Sequence, residues 1–84
     1  MKEELKFTIG IPTYNGASLI KETLKSILSQ GFQNFEIIIS DDCSKDNTIE
    51  VIKKFKDKRI KTHRNEKNLG YGKNLQVLRK LAKA

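Results

Sequence analysis

The chain has 84 residues, of which 37% are hydrophobic and 32% charged, with one Pro and five Gly; it is one domain or part of one, and neither disordered nor fibrous. A net charge of +7 points either to an anionic partner or to a lysine-rich solvated surface. The single cysteine, Cys43, excludes an intramolecular disulfide and favours a reducing compartment. No run approaches the ~18 apolar residues of a membrane span. The charged residues Lys2, Glu3, Glu4 and Lys6 precede only a short apolar stretch, which is not a signal peptide.

Residues 5–12 are rich in β-branched and aromatic side chains and predict a strand ended by Pro12, which has no ladder donor. Ser18 then reads as the N-cap of a helix to about Gln30, with Ile20, Leu24, Ile27 and Leu28 at helical spacing and Gly31 as its stop. Residues 35–40 predict the firmest strand, because Ile37, Ile38 and Ile39 are consecutive and demand cover on both faces, as in a parallel sheet flanked by helices. Asn47 and Glu50 have the spacing of a capping box, which opens a second helix to about Phe55 through Ile49 and Ile52. Residues 59–63 form a weaker strand and residues 65–72 a loop. From about Lys73, the stripe Leu75, Leu78, Leu81 and Ala82 marks a third helix.

The order is therefore βαβαβα, an α/β chain in three layers. Right-handed crossovers give a parallel sheet of order 3-2-1. That order leaves the first strand, with its apolar Phe7, Ile9 and Ile11, on an open edge that invites pairing. Self-association through this edge, or an incomplete domain that continues into a further strand, is the expectation.

Two strand-end turns carry the chemistry. In a parallel sheet both lie at the edge where ligands bind. Pro12-Thr13-Tyr14-Asn15 offers an aromatic ring able to stack on a planar base, or merely to pack its turn. Asp41-Asp42 offers two carboxylates that could accept from a base N–H or ribose hydroxyls, or hold a metal. Helix capping is assigned instead to Ser44, Asp46 and Asn47, residue types common in such turns. The two carboxylates beside Cys43 argue against a nucleophilic thiolate. Gly70-Tyr71-Gly72-Lys73-Asn74 is not a phosphate loop, since Lys67 stands where the first glycine belongs and Asn74 where Ser or Thr belongs. Lys73, near a helix start, could still meet a diphosphate. His63 stands alone, with no cluster to make it a metal ligand. The basic segment from Lys53 to Lys67 lacks the interleaved aromatics of a single-strand nucleic-acid platform.

Phe7-Thr8-Ile9-Gly10-Ile11-Pro12-Thr13-Tyr14-Asn15, Ser26-Ile27-Leu28-Ser29-Gln30, Phe35 through Thr48 with its Ser40-Asp41-Asp42-Cys43-Ser44 core, and Arg64-Asn65-Glu66-Lys67-Asn68-Leu69-Gly70 together closely resemble the N-terminal part of family 2 glycosyltransferases. The resemblance covers essentially the whole chain. It implies one Rossmann-like half of a GT-A fold, residues 1–84 being the nucleotide-sugar-binding segment. It implies an inverting glycosyltransferase that takes its sugar from a nucleotide donor, commonly UDP-linked. Carried over by position, the Pro12-Thr13-Tyr14 turn flanks the base, Asp42 accepts from the base N3–H, Asp41 supports the turn, and Lys73 approaches the base or diphosphate. Cys43 stands where the family usually has Gly, and Gly72-Lys73-Asn74 where it usually has Ala-Arg-Asn.

No Asp follows Asp57, so the family's metal-binding Asp-x-Asp motif lies outside these residues. The resemblance implies Mg²⁺ or Mn²⁺ in a full-length member, none held by this chain's own residues, no catalytic residue here, and no activity of residues 1–84 alone. It also implies a cytoplasmic protein, associated peripherally with the inner membrane face in polysaccharide assembly, with an acceptor that the residues do not name. The rival readings are a complete, non-catalytic nucleotide-binding module and a basic nucleic-acid-binding domain.

Overall fold

Alternating apolar runs and helical stripes give three strands and three helices in the computed structural model, which describes residues 7–31 and 34–82. In chain order they are β1 (Phe7–Thr13), α1 (Ala17–Leu28), β2 (Phe35–Asp41), α2 (Thr48–Lys53), β3 (Ile60–Arg64) and α3 (Tyr71–Ala82). The sheet is parallel in the order β1-β2-β3, the order expected from right-handed crossovers.

Side chains alternate along β2, which is why its consecutive isoleucines need two covers. Phe35, Ile37 and Ile39 pack with Ile20 and Leu24 of α1 and Ile52 of α2 into the main core. Ile38 and Ser40 point the other way, towards α3, where Leu78 is buried and Ser40 bonds Asn74. Gly10 of β1 faces the same helix, where a Cβ would stand in ordinary contact with Leu78 Cδ2 at 3.5 Å. At the opposite end of the strands Phe35 stacks on Phe7 at 5.7 Å between centroids. The Arg59 guanidinium lies 4.7 Å from the Phe35 ring, a cation–π contact.

Several boundaries differ from expectation, for physical reasons. Residues 5 and 6 of the first predicted strand lie outside the described residues. The strand itself runs past Pro12 to Thr13, because an edge strand tolerates a residue without a ladder donor. Ser18 is not an N-cap: α1 starts at Ala17 after Gly16, which makes no side-chain cap bond, and the Ala17 N–H donates to Asp46 Oδ2 at 3.3 Å. The capping box of Asn47 and Glu50 does not form either. Asp46 accepts instead from Thr48 N–H at 3.0 Å and from its hydroxyl, so one carboxylate serves two helix starts. The α1 helix ends at Leu28 and α2 at Lys53, both short of their expected ends. The α3 helix begins two residues before Lys73, at Tyr71, once Gly70 has taken a left-handed φ of 95°, which glycine adopts without strain.

Ile39 is fully buried between α1, α2 and β1. Ile39→Ala should cost about 2–5 kcal/mol by loss of burial and a residual cavity. A urea titration in which the unfolding free energy falls by less than about 1 kcal/mol, at unchanged slope, would contradict this packing.

Candidate nucleotide-binding edge

The register aligns the three strand ends, Thr13 beside Asp41 and Asp41 beside Arg64. The ladder continues one step further: Thr13 C=O accepts from Asp42 N–H at 2.9 Å, and Asp41 C=O accepts from Asn65 N–H at 2.8 Å. The two turns singled out from the sequence are therefore neighbours. Each contains one left-handed residue, Asn15 at φ 50° and Cys43 at φ 61°. Asn tolerates that region, whereas Cys43 pays the L-residue penalty of roughly 1–2 kcal/mol; a Gly at position 43 would carry none.

Asp41 and Ser44 lock the turns together. Ser44 donates its N–H to Asp41 Oδ2 at 2.9 Å and its hydroxyl to Asp41 Oδ1. Ser44 Oγ in turn accepts from Asn15 N–H at 2.8 Å, and Asn15 Oδ1 accepts from Lys45 N–H at 2.7 Å. Arg64 closes the far side, with Nε 3.6 Å from Asp41 Oδ2 and Nη2 donating to Ser44 C=O at 3.2 Å. Ser44, expected as a helix cap, is thus a bridge between turns. Pro12 and Thr13 are half-buried, and Tyr14 stays 46% exposed beside them.

Asp42 is the hub of the edge. It is 2% exposed, and its carboxylate accepts four hydrogen bonds. Oδ1 takes Leu69 N–H at 2.8 Å and Asn65 Nδ2 at 2.9 Å. Oδ2 takes Gly70 N–H at 2.9 Å and Asn68 Nδ2 at 2.9 Å. Burial pushes this carboxyl up, but the bonds from Leu69, Asn65 and Gly70 outweigh burial and hold it below the usual carboxylate range. A buried chain runs on from there. Asn65 Nδ2 also donates to Asn74 Oδ1 at 2.9 Å, and Asn74 exchanges two bonds with Ser40, receiving its hydroxyl at 2.7 Å and donating to its carbonyl at 2.9 Å. His63 Nε2 lies 3.0 Å from Asn65 Oδ1, a half-buried structural contact. The first turn of α3 is thereby fastened to the ends of β2 and β3.

Lys73 stands exposed on that first turn beside Tyr71, which is 72% exposed. The end of β3 and the following loop frame an open cleft of about 520 Å³ lined by His63, Arg64, Asn65, Glu66, Lys67 and Leu69. A separate groove of about 230 Å³ lies between α1 and α2, floored by Val51 and Phe55 and rimmed by Lys21, Lys25 and Lys54. It sits by the C-terminal ends of those helices, away from the strand-end turns. Among the described residues no three His, Cys, Asp or Glu side chains converge. The carboxylates of Asp41 and Asp42 are already occupied by donors, so these residues do not fit a divalent cation.

The sequence model of the family described as Glycosyl transferase family 2 matches residues 8–83. The chain belongs to that family. It is 38% identical over 69 residues, 79% of its length, to a poly(ribitol-phosphate) β-N-acetylglucosaminyltransferase, TarS, of Staphylococcus aureus, of which it covers 12%. It is 49% identical over 53 residues, 63% of its length, to the Escherichia coli glucosyltransferase WfaP, of which it covers 21%. A crystal structure of S. aureus TarS 1–349 in complex with UDP superposes with a TM-score of 0.86 at 36% identity, covering 95% of this chain and 25% of that one. A mannosyltransferase of Pyrobaculum calidifontis shares the fold, with a TM-score of 0.84 at 23% identity over 98% of this chain and 26% of that one. The family 2 chain thus spans an eighth to a quarter of the length of these relatives.

The structure brings Pro12, Thr13, Tyr14, Asp41 and Asp42 to one edge and puts Lys73 on the helix turn that Asp42 helps to hold. Sequence reasoning missed Ser40, Asn65, Asn68 and Asn74. Each is an ordinary polar residue in a loop, strand or helix, and only the fold puts them in contact. The available signals were the place of Ser40, Asn65 and Asn68 in segments that resemble the family, and Asn74 on a helix face otherwise marked by Leu75 and Leu78.

Because the Asp42 carboxyl titrates below its free value, the stability it contributes is complete above about pH 4 and is lost as pH falls through the depressed folded value. The Leu69 and Gly70 amide proton resonances should move together on that protonation, with a midpoint below that of a free aspartate. A midpoint at or above the free value would contradict the four-donor arrangement.

Proposed function

We propose that the protein is an inverting glycosyltransferase in which residues 1–84 are the nucleotide-sugar-binding segment and UDP is the nucleotide of the donor. The observation that carries this reading is an exposed Tyr14 ring next to a buried, ionised Asp42 at the shared edge of a parallel sheet. The ring offers a face for a planar base, and an ionised carboxylate, an acceptor only, suits a ring N–H such as uracil N3–H and repels a bare ring nitrogen. The match of the fold to a relative crystallised with UDP supports the same nucleotide. Pro12 and Thr13 form the floor of the turn, and Asp41 fixes its shape from within. Lys73 stands at the exposed start of α3, suited to the negative charge of a diphosphate.

Chemistry on the sugar needs groups these residues do not supply. The expected Mg²⁺ or Mn²⁺ and the acceptor site belong to the remainder of a full-length enzyme, and residues 1–84 alone are inactive in this reading. The outer edge of β1, which pairs on one side only among the described residues, is the place where the rest of the sheet or a second copy joins. Association with a membrane face remains part of the proposal for the whole enzyme; among the described residues no helix is long and apolar enough to cross a membrane. The nucleic-acid reading weakens, because in its basic segment Arg59 pairs with Asp57 at 2.8 Å, Lys61 with Glu36 at 3.0 Å and Arg64 with Asp41 at 3.6 Å.

Tyr14 gives the cleaner test, since Asp42→Ala would also release the loop that Asp42 holds. Tyr14→Ala should weaken UDP binding by about 1–3 kcal/mol, the value of one base–aromatic stack, with the thermal midpoint unchanged. Calorimetric titration with unchanged UDP affinity would remove Tyr14 from the site, and absence of UDP binding to the wild-type protein would remove the nucleotide.

A further inference from the structure

The Asp42 carboxylate has no acceptor position to spare. Two oxygens offer about four lone-pair sites, and four donors fill them. A nucleobase N–H that bonds this carboxylate must therefore displace one of the four. They are not equally replaceable. The Leu69 and Gly70 N–H groups are backbone donors that shape the turn into α3, and pulling either away leaves a backbone group without its partner. Asn65 is 6% exposed and also holds Asn74, so its removal breaks the buried chain to Ser40. Asn68 differs on every count. It is exposed, its bonds to Asp42 come from the side chain alone, and the same Nδ2 spans Asp42 Oδ2 at 2.9 Å and Asp42 C=O at 3.2 Å. A rotation about its own side-chain bonds returns that amide to water, where its donors are satisfied at little cost.

Resting on the reading of this edge as a nucleotide site, we infer that Asn68 is a built-in competitor of the nucleobase: its side-chain amide holds the acceptor position on Asp42 Oδ2 that a base ring N–H takes over on binding. The two donors are chemically alike, an amide N–H and an imide or lactam N–H. In the free protein the amide fills the fourth acceptor position of the buried carboxylate, which the other three donors leave unsatisfied. On binding, uracil N3–H or guanine N1–H replaces it one for one. Cytosine and adenine present a bare ring nitrogen at the equivalent position, which the carboxylate repels, and can offer only an exocyclic amino donor displaced from it. Asn68 thus sets a threshold that favours a base with a ring N–H at that position, and it lowers affinity for the correct base by the work of its own displacement.

The test is a titration of UDP, with CDP as control, into the full chain as wild type and as Asn68→Ala, followed by proton–nitrogen NMR with labelled Asn, Leu and Gly. Asn68→Ala should bind UDP about 2- to 10-fold tighter, the range of one net hydrogen bond, with CDP weaker than UDP in both proteins. In the wild type, saturation with UDP should move the Asn68 side-chain amide resonances to the position of a free amide, while the Leu69 and Gly70 amides keep their hydrogen-bonded shifts. This second reading needs no variant and decides the matter if Asn68→Ala fails to fold. UDP affinity that is equal or weaker in Asn68→Ala, or an Asn68 amide unmoved at saturation, overturns the inference and leaves the nucleotide site standing. No UDP binding to either protein overturns both.

Discussion

A carboxylate buried at the end of a strand has to find donors for both oxygens, and Asp42 finds them in one short loop, taking Asn65, Asn68, Leu69 and Gly70 together. That requirement shapes the whole edge. It bends residues 65–70 back over the end of β2, and it delivers Gly70 in the left-handed conformation from which α3 starts. Through Asn65 and Asn74 it fastens α3 to the far face of the sheet. The neighbouring Asp41 does the corresponding work on the near face, through Ser44 and Asn15. Two adjacent carboxylates thus organise opposite sides of the same edge, because successive side chains of a strand leave it in opposite directions.

This division bears on function. A pair of adjacent aspartates invites a metal reading, yet here each carboxylate is consumed by the protein's own donors. What the edge presents outward is the Tyr14 ring and, beyond it, the Tyr71 and Lys73 side chains at the start of α3. These groups suit a flat, hydrogen-bonding base carrying a charged tail, which is the form of a nucleoside diphosphate. The Asp42 carboxylate stays ionised because its donors outweigh its burial, so it is ready to accept once one of them yields.

Much of this was legible in the sequence, and the reasons are specific. The consecutive Ile37, Ile38 and Ile39 can be buried only between two helical layers, and the short helical connections allow only a parallel sheet; element order and strand order followed. The turns at Tyr14 and Asp42 stood out because each closes an apolar run with residues that neither strand nor helix requires. Of the caps, Asp46 is the one legible by residue type, since it bonds Thr48 two residues on; Asn47 and Ser44 are equally good by type but do not cap, and only the tertiary approach of α1 to α2 makes Asp46 serve a second helix. The asparagine network was illegible for a related reason: Asn65, Asn68 and Asn74 have no local periodicity, and apart from His63 beside Asn65 their side-chain partners lie between 9 and 34 residues away along the chain.

The central claim is that one buried carboxylate both holds the edge and reads the base. A crystal structure of the protein with UDP tests it most directly. The account predicts the uracil against Tyr14, its N3 about 2.9 Å from Asp42 Oδ2, with the Asn68 side chain turned away and the Leu69 and Gly70 bonds intact. A uracil bound elsewhere, with all four donors still on Asp42, would contradict it.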